Sequence, residues 1–256
     1  MNEKFILLSS QRTGSAFLQQ SLNSHSKIRC DGEVLLGYGG LHKKSPPHIL
    51  KRYRRLRTLW KTVVSGAAMN PIKTMENSWA PRSNESAMGF RLMYNQIERD
   101  PRVKHYLSGL SGVKLITLKR RNILKQFVSL KLMHDQTKHG RFSAHVYEKP
   151  ETVTLRVDPS EAVFYIKRIQ TQRQKYKQFF SGLESIDIDY EEMVAGSGLK
   201  PQISEAICDF LNVDRSSLIS TYVKSNPAKL DEFVINYKEL IDFVSNSGCG
   251  GDSDYV

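Results

Sequence analysis

Apolar positions along this chain fall into short runs separated by helix-length stretches. Phe5-Ile6-Leu7-Leu8 shows no alternation, which predicts a strand buried on both faces of a parallel sheet. The runs GFRLMY (Gly89–Tyr94), VKLITL (Val113–Leu118) and IDIDY (Ile186–Tyr190) predict further buried strands, with a weaker one at KIRCD (Lys27–Asp31). Between them the period lengthens to that of a helix. Phe17, Leu18 and Leu22 share one helical face, and so do Ile123, Phe127 and Leu130. A long basic helix is predicted over Ser160–Phe180, with Val163, Ile166, Ile169 and Tyr176 inward, and two more over Leu199–Leu211 and Ala228–Val244. Strands alternating with helices predict an α/β fold: three layers, a mainly parallel sheet flanked by helices.

Two stretches break the alternation. Gly37–Ser86 gathers Gly37, Gly39, Gly40, Pro46, Pro47, Pro71 and Pro81 and reads as an insertion over the sheet edge rather than a second domain. His134–Leu155, with His134, His139, Gly140 and His145, reads as a loop able to cover a site. The expected organisation is one domain over residues 1–245, with 37–86 as the insertion, followed by a flexible tail over 246–256.

Composition narrows the class. At 256 residues the chain can bury roughly 70–75% of its unfolded surface without staples. Cys30, Cys208 and Cys249 are too few and too scattered for a disulfide framework or a zinc site, so no metal is expected. No apolar stretch approaches the roughly 20 residues of a membrane span, and the first residues run directly into a strand without a signal-peptide pattern. The expectation is a soluble, cytoplasmic protein. A net charge of +12 and a pI near 9.6 point to anionic partners. Much of the excess sits in KRYRRLRTLWK (Lys51–Lys61), which reads either as a solvated basic helix or as a docking face for an acidic acceptor or a membrane surface.

The turn after the first strand, SSQRTGSAF, joins a strand end to a helix start. Free N–H groups of Gly14, Ser15 and Ala16 and the helix dipole would favour an anion there, and Arg12, Thr13 and Ser15 add donors. The alternative is that Thr13 or Ser15 merely caps the helix. An arginine inside so tight a turn and a glycine that permits close approach favour the anion. The triphosphate-binding pattern G-x-x-x-x-G-K-[ST] is absent. A second polar switch follows the Val113–Leu118 strand, where LKRRNILKQFVS places Ser129 eight residues after Arg121. In a doubly wound sheet both turns face one crevice beyond the carboxyl ends of the strands.

This ordered pair resembles the sulfotransferase family. SSQRTGSAFL is similar to its 5′-phosphosulfate loop, RNILKQFVS to its 3′-phosphate motif, and IDYEEMV (Ile188–Val194) to its strand-end tyrosine–acid segment; NYKELIDF resembles the bacterial carbohydrate and nodulation-type branch. The resemblance implies a P-loop NTPase-like sulfotransferase fold and the donor 3′-phosphoadenosine-5′-phosphosulfate (PAPS), with adenosine 3′,5′-bisphosphate as product. It implies that Arg12, Thr13, Gly14, Ser15 and Ala16 bind the 5′-phosphosulfate, that Arg121 and Ser129 bind the 3′-phosphate, and that Tyr190 lies near the adenine. Arg12 and Glu33 would be catalytic, Glu33 as the base, with His25, His42 and His105 as rival bases. Glu33 reads equally as a helix-start acid or a salt-bridge partner of Arg12 or Arg29. Arg91, inside a predicted strand, needs an anionic partner, either a carboxylate or the transferring sulfate. The implied acceptor is a hydroxyl of a saccharide or glycolipid, with peripheral membrane contact through residues 51–61 and no nucleic acid. A P-loop-like kinase and an inactive PAPS- or nucleic-acid-binding protein stand as the alternatives; Ala16 holds a position where many members carry a second hydroxyl.

Overall fold

The computed structural model describes residues 2–36, 70–138, 154–222 and 229–249. The Lys51–Lys61 segment, His42 and the end of the tail lie outside the described residues. Five parallel strands form the central sheet: β1 (Glu3–Ser9), β2 (Ile28–Glu33), β3 (Ala87–Met93), β4 (Val113–Lys119) and β5 (Ser185–Asp189), in the order β2-β3-β1-β4-β5. β1 lies at the centre, pairing Phe5 with Gly89 on one side and with Lys114 on the other. This explains its unbroken apolar run, because both faces of β1 are covered. Phe5 and Leu7 pack with Leu18 and Leu22 of α1 (Ser15–Asn23), while Ile6 and Leu8 pack on the opposite layer with Met75, Val103 and Tyr176. The α/β fold expected from the alternation is the one observed.

Among the described residues the remaining α-helices are α2 (Pro71–Ser78), α3 (Tyr94–Ile97), α4 (Pro101–Ser108), α5 (Ile123–Lys138), α6 (Pro159–Phe179), α7 (Tyr190–Met193), α8 (Pro201–Phe210) and α9 (Tyr237–Asn246). Their starts follow capping chemistry. Asn70 caps α2 by accepting from the backbone N–H groups of Ile72 and Lys73, Asp100 caps α4, and Asp158 caps α6, each with proline at the next position. A third cluster joins α5, α6 and α9 through Phe127, Ile166 and Leu240.

Three boundaries depart from the sequence reading. Residues 134–138 extend α5 instead of opening a loop, and 139–153 lie outside the described residues. Part of the predicted insertion, residues 71–78, is the capped helix α2. The predicted helix Ala228–Val244 is instead a short 3₁₀ turn (Leu230–Glu232), then an extended bridge from Val234 to Leu155, then α9. There the Asn236 side chain donates to the Val157 carbonyl and accepts from the Val157 N–H, a non-local pairing that overrides helix propensity.

The topology fixes where a ligand can enter. From β1 the chain leaves through α1 toward β2 on one side, and from β4 it leaves through α5 and α6 toward β5 on the other. The connections therefore diverge between the neighbouring carboxyl ends of β1 and β4, the switch point where open α/β sheets hold ligands.

Candidate functional site

The turn Ser10–Gly14 is built by its own backbone. Thr13 Oγ1 donates to the Ser10 carbonyl at 2.8 Å and is fully buried, which closes the turn. Arg12 sits at φ 62° and Gly14 at φ 87°, both in the left-handed region, so the chain reverses sharply before α1. No side chain caps α1, whose N-terminal residue Ser15 is buried. Its first-turn N–H groups and dipole thus face the strand ends with Ala16 as the second helical residue. Gly14 is also needed for space: a Cβ there would come within 2.5 Å of Tyr190 Cδ2. Tyr190 therefore lies directly on the loop.

Two residues 117 positions apart meet at the switch point. Arg12 Nε donates to Ser129 Oγ at 3.1 Å, and Arg12 Nη1 approaches Met133 Sδ at 3.9 Å, one turn further along α5. Arg120, immediately after β4, closes the arrangement. Its Nη1 donates to the Arg12 carbonyl at 3.2 Å, and its guanidinium lies 5.0 Å from the centre of the Tyr190 ring. The Gln126 amide nitrogen, wholly buried, reaches Ser10 Oγ, the Gln11 carbonyl and the Tyr165 hydroxyl, tying the loop to α5 and α6. Burial lowers the pKa of both Arg12 and Arg120, and for Arg12 the charge of Arg120 lowers it further. Both remain cations at neutral pH. Two neighbouring desolvated guanidiniums favour an anion between or beside them.

Arg121 takes a different direction. Its side chain is 42% exposed and pairs with Glu192 at 2.8 Å, while its backbone N–H and that of Asn122 donate to the Glu191 carboxylate. Ser129 thus meets Arg12, while Arg121 meets Glu192. Glu33 ends β2, where its carboxylate accepts from Arg91 Nη2 at 3.4 Å and from Gln96 Nε2 at 3.2 Å. Of the readings left open, the carboxylate partner of Arg91 is Glu33, and Glu33 pairs with neither Arg12 nor Arg29. Among the rival bases, His25 is engaged away from the strand ends: Nδ1 accepts from the Lys27 N–H, so Nε2 donates to the Asp214 carbonyl at 2.9 Å. His105 is exposed near the end of α4.

Beside the loop a cleft of about 570 Å³ opens between the ends of β1 and β3 and the helices α5 and α6. Ser10 and Gln11 form its inner edge, Asn95, His134 and Arg168 its polar wall, and Phe164, 69% exposed, its rim. Burial pushes the Tyr94 hydroxyl up to about 12, so this wall residue stays protonated. Glu33 does not line the cleft. Among the described residues no group of three or more His, Cys, Asp or Glu side chains could hold a metal ion.

Arg120 and Gln126 were missed by sequence reading, which stopped at the eight-residue spacing. No local pattern signals Arg120, because both faces of β4 are buried and alternation does not separate Arg120 from Arg121.

No protein-family model and no curated protein matches the chain. Among solved structures it is similar to a sulfotransferase from Alicyclobacillus acidocaldarius, with a TM-score of 0.55 and 14% identity over 96% of this chain and 92% of that one. It also aligns with the sulfotransferase domain of the Synechococcus PCC 7002 olefin synthase, with a TM-score of 0.48 and 16% identity over 95% of this chain and 88% of that one. The first likeness extends over nearly the whole chain, so the fold is of the sulfotransferase type, with the Ser10–Gly14 turn and the end of β4 on neighbouring strands.

Proposed function

We propose that the protein transfers a sulfuryl group from PAPS to a hydroxyl of a saccharide or glycolipid, releasing adenosine 3′,5′-bisphosphate. The observation that carries this reading is the meeting of Arg12 and Ser129, from the two predicted anion motifs, across the boundary of β1 and β4. A kinase reading accounts for the first motif only. The residues fit a donor with two anionic groups. On this reading Arg12, the α1 N-terminus at Gly14, Ser15 and Ala16, and the turn closed by Thr13 receive the 5′-phosphosulfate, and Ser129, which meets Arg12, receives the 3′-phosphate with Arg121. The Tyr190 ring, fixed against Gly14, offers a flat surface for the base.

PAPS supplies an activated sulfuryl group on a good leaving phosphate. This chain's residues position and balance charge, which is most of what in-line transfer requires. Arg12 donates to the leaving oxygen as its charge grows. The acceptor oxygen bonds to sulfur as the bond from sulfur to the 5′-phosphate oxygen breaks, and the hydroxyl proton passes to a base, either Glu33 at the end of β2, held by Arg91 and Gln96, or His134 on the cleft wall. The cleft receives the acceptor: an aromatic rim at Phe164 and polar walls at Asn95, Gln172 and Arg168 suit a polyhydroxylated ring better than a wholly apolar alcohol. The test is incubation with PAPS carrying a radioactive sulfur and a panel of sugars, glycolipids, sterols and phenols. Label transferred to a sugar or glycolipid is the expected result; no transfer to any hydroxyl, or transfer to sterols alone, counts against it.

A further inference from the structure

One face of α6 forms the outer wall of the cleft. Glu161, Phe164, Tyr165, Arg168 and Gln172 follow one another at three- and four-residue steps, which puts them in one line, and all five line the cavity. Tyr165 anchors that line. Its ring packs against Phe127 of α5 with centroids 5.1 Å apart, and its hydroxyl meets the Gln126 amide nitrogen, which also reaches Ser10 Oγ. The Arg168 guanidinium lies over the same ring, 5.1 Å from its centre. One phenol ring and one amide therefore separate the Ser10–Gly14 turn from a cation, a span on the scale of one or two sugar rings.

The charges of the cleft are matched except at Arg168. Two carboxylates line it, and each already has a cation: Glu161 pairs with Lys131 of α5, and Glu98 pairs with Lys175, two turns beyond Arg168 on α6. The Tyr94 hydroxyl stays protonated and adds no negative charge. Among the described residues no carboxylate and no hydrogen-bond acceptor meets the Arg168 side chain, whose contact is with the Tyr165 ring. A guanidinium resting on an aromatic face is held in place and keeps its N–H fork for a ligand. One turn before it stands Phe164, 69% exposed at the rim. A sugar ring lying on Phe164 would bring an acid group within reach of that fork.

We propose that Arg168 makes the cleft selective for a saccharide that carries an anionic group, a carboxylate or a phosphate ester, one or two rings from the hydroxyl that receives sulfate. This rests on the reading of the cleft as the acceptor's seat, and the two fail separately. Binding to the full chain without nucleotide is measured by calorimetry for three phenyl glycosides that differ only at carbon 6: the glucoside, the glucuronide and the glucoside 6-phosphate. The unsubstituted protein is compared with Arg168→Gln and Arg168→Lys. The expected result is that an anionic glycoside binds at least about tenfold more tightly than the neutral one, the better of the two naming the acid group. Arg168→Gln should abolish that preference and change the affinity for the glucoside by less than about twofold, while Arg168→Lys, a cation without the fork, keeps part of it. Added salt should narrow the preference of the unsubstituted protein. Equal affinity for all three glycosides, or binding of none, overturns the proposal. So does a preference that survives Arg168→Gln, which would place recognition on other cations, and so does an equal loss for the glucoside, which would reduce Arg168 to a support for the Tyr165 ring. If an anionic glycoside binds with this Arg168-dependent preference yet takes no radioactive sulfur from PAPS, the transfer reading fails and the anion site stands.

Discussion

Replacing Gly14 by alanine tests whether the anion loop and the Tyr190 platform form one unit. Two penalties add at this residue. Alanine at φ 87° bears the left-handed cost of roughly 1–2 kcal/mol. Its methyl group would also stand 2.5 Å from Tyr190 Cδ2 and 2.6 Å from Cε2, closer than any relaxed contact, so the ring must move and lose its fit against Arg120. Overpacking of this kind costs about 1–3 kcal/mol. The sum, about 2–5 kcal/mol, is large against the roughly 5–15 kcal/mol that holds a domain folded, yet need not unfold it. The assay is urea unfolding followed by circular dichroism, run as a double-mutant cycle with Tyr190→Ala. In the Tyr190→Ala background the steric part vanishes and Gly14→Ala should cost only about 1–2 kcal/mol, leaving a coupling of about 1–3 kcal/mol. Equal costs in both backgrounds would mean that the ring does not press on the glycine, and the link between loop and platform would be wrong.

Further outcomes follow from the same geometry. Arg12→Ala should remove most sulfuryl transfer while leaving the unfolding midpoint nearly unchanged, and Arg12→Lys should be milder, because a charged hydrogen bond is worth roughly 1.5–3 kcal/mol; transfer by the alanine variant at the unsubstituted rate would reduce Arg12 to a turn residue. Glu33→Gln should lower turnover about 10²–10⁴-fold with donor affinity kept. If turnover instead survives Glu33→Gln and falls in His134→Asn, the base is on the cleft wall. His25→Ala should lower stability by about 1–3 kcal/mol and leave transfer intact, since both ring nitrogens are spent between Lys27 and Asp214; a transfer defect in a folded variant would contradict this. The Glu85 carboxylate accepts from the backbone N–H groups of Ser83 and Arg82, which holds its pKa down to about 2. A depressed folded pKa stabilises above the unfolded value and is lost as the pH falls toward 2, so Glu85→Gln should flatten the acid limb of the unfolding profile. An unchanged acid limb would refute that.

The strands were legible because burial on both faces of a central parallel strand leaves an unbroken apolar run, as in Phe5–Leu8 and Val113–Leu118. The loop was legible because its chemistry is local: Arg12, Thr13 and Gly14 are neighbours in sequence and act through one turn. What was not legible is what depends on direction. Spacing named Arg121 and Ser129 but not their side-chain partners: Arg121 meets Glu192, Ser129 meets Arg12, and Arg120 donates to the loop. Likewise the pairing of Glu33 with Arg91 rests on parallel register between β2 and β3, which contains an irregularity between Asp31 and Glu33 that no local pattern signals. The extended bridge at Val234 depends on Leu155 and Val157, almost eighty residues away.

The central claim is that the crevice between β1 and β4 selects a nucleotide with two anionic groups. A calorimetric titration of the full chain with adenosine 3′,5′-bisphosphate, AMP and ATP tests it most directly, since it needs no knowledge of the acceptor. The account predicts that the bisphosphate binds at least about tenfold more tightly than AMP and more tightly than ATP, as expected for one additional charged contact. Equal affinity for ATP and the bisphosphate would contradict it and return the loop to a generic phosphate-binding turn.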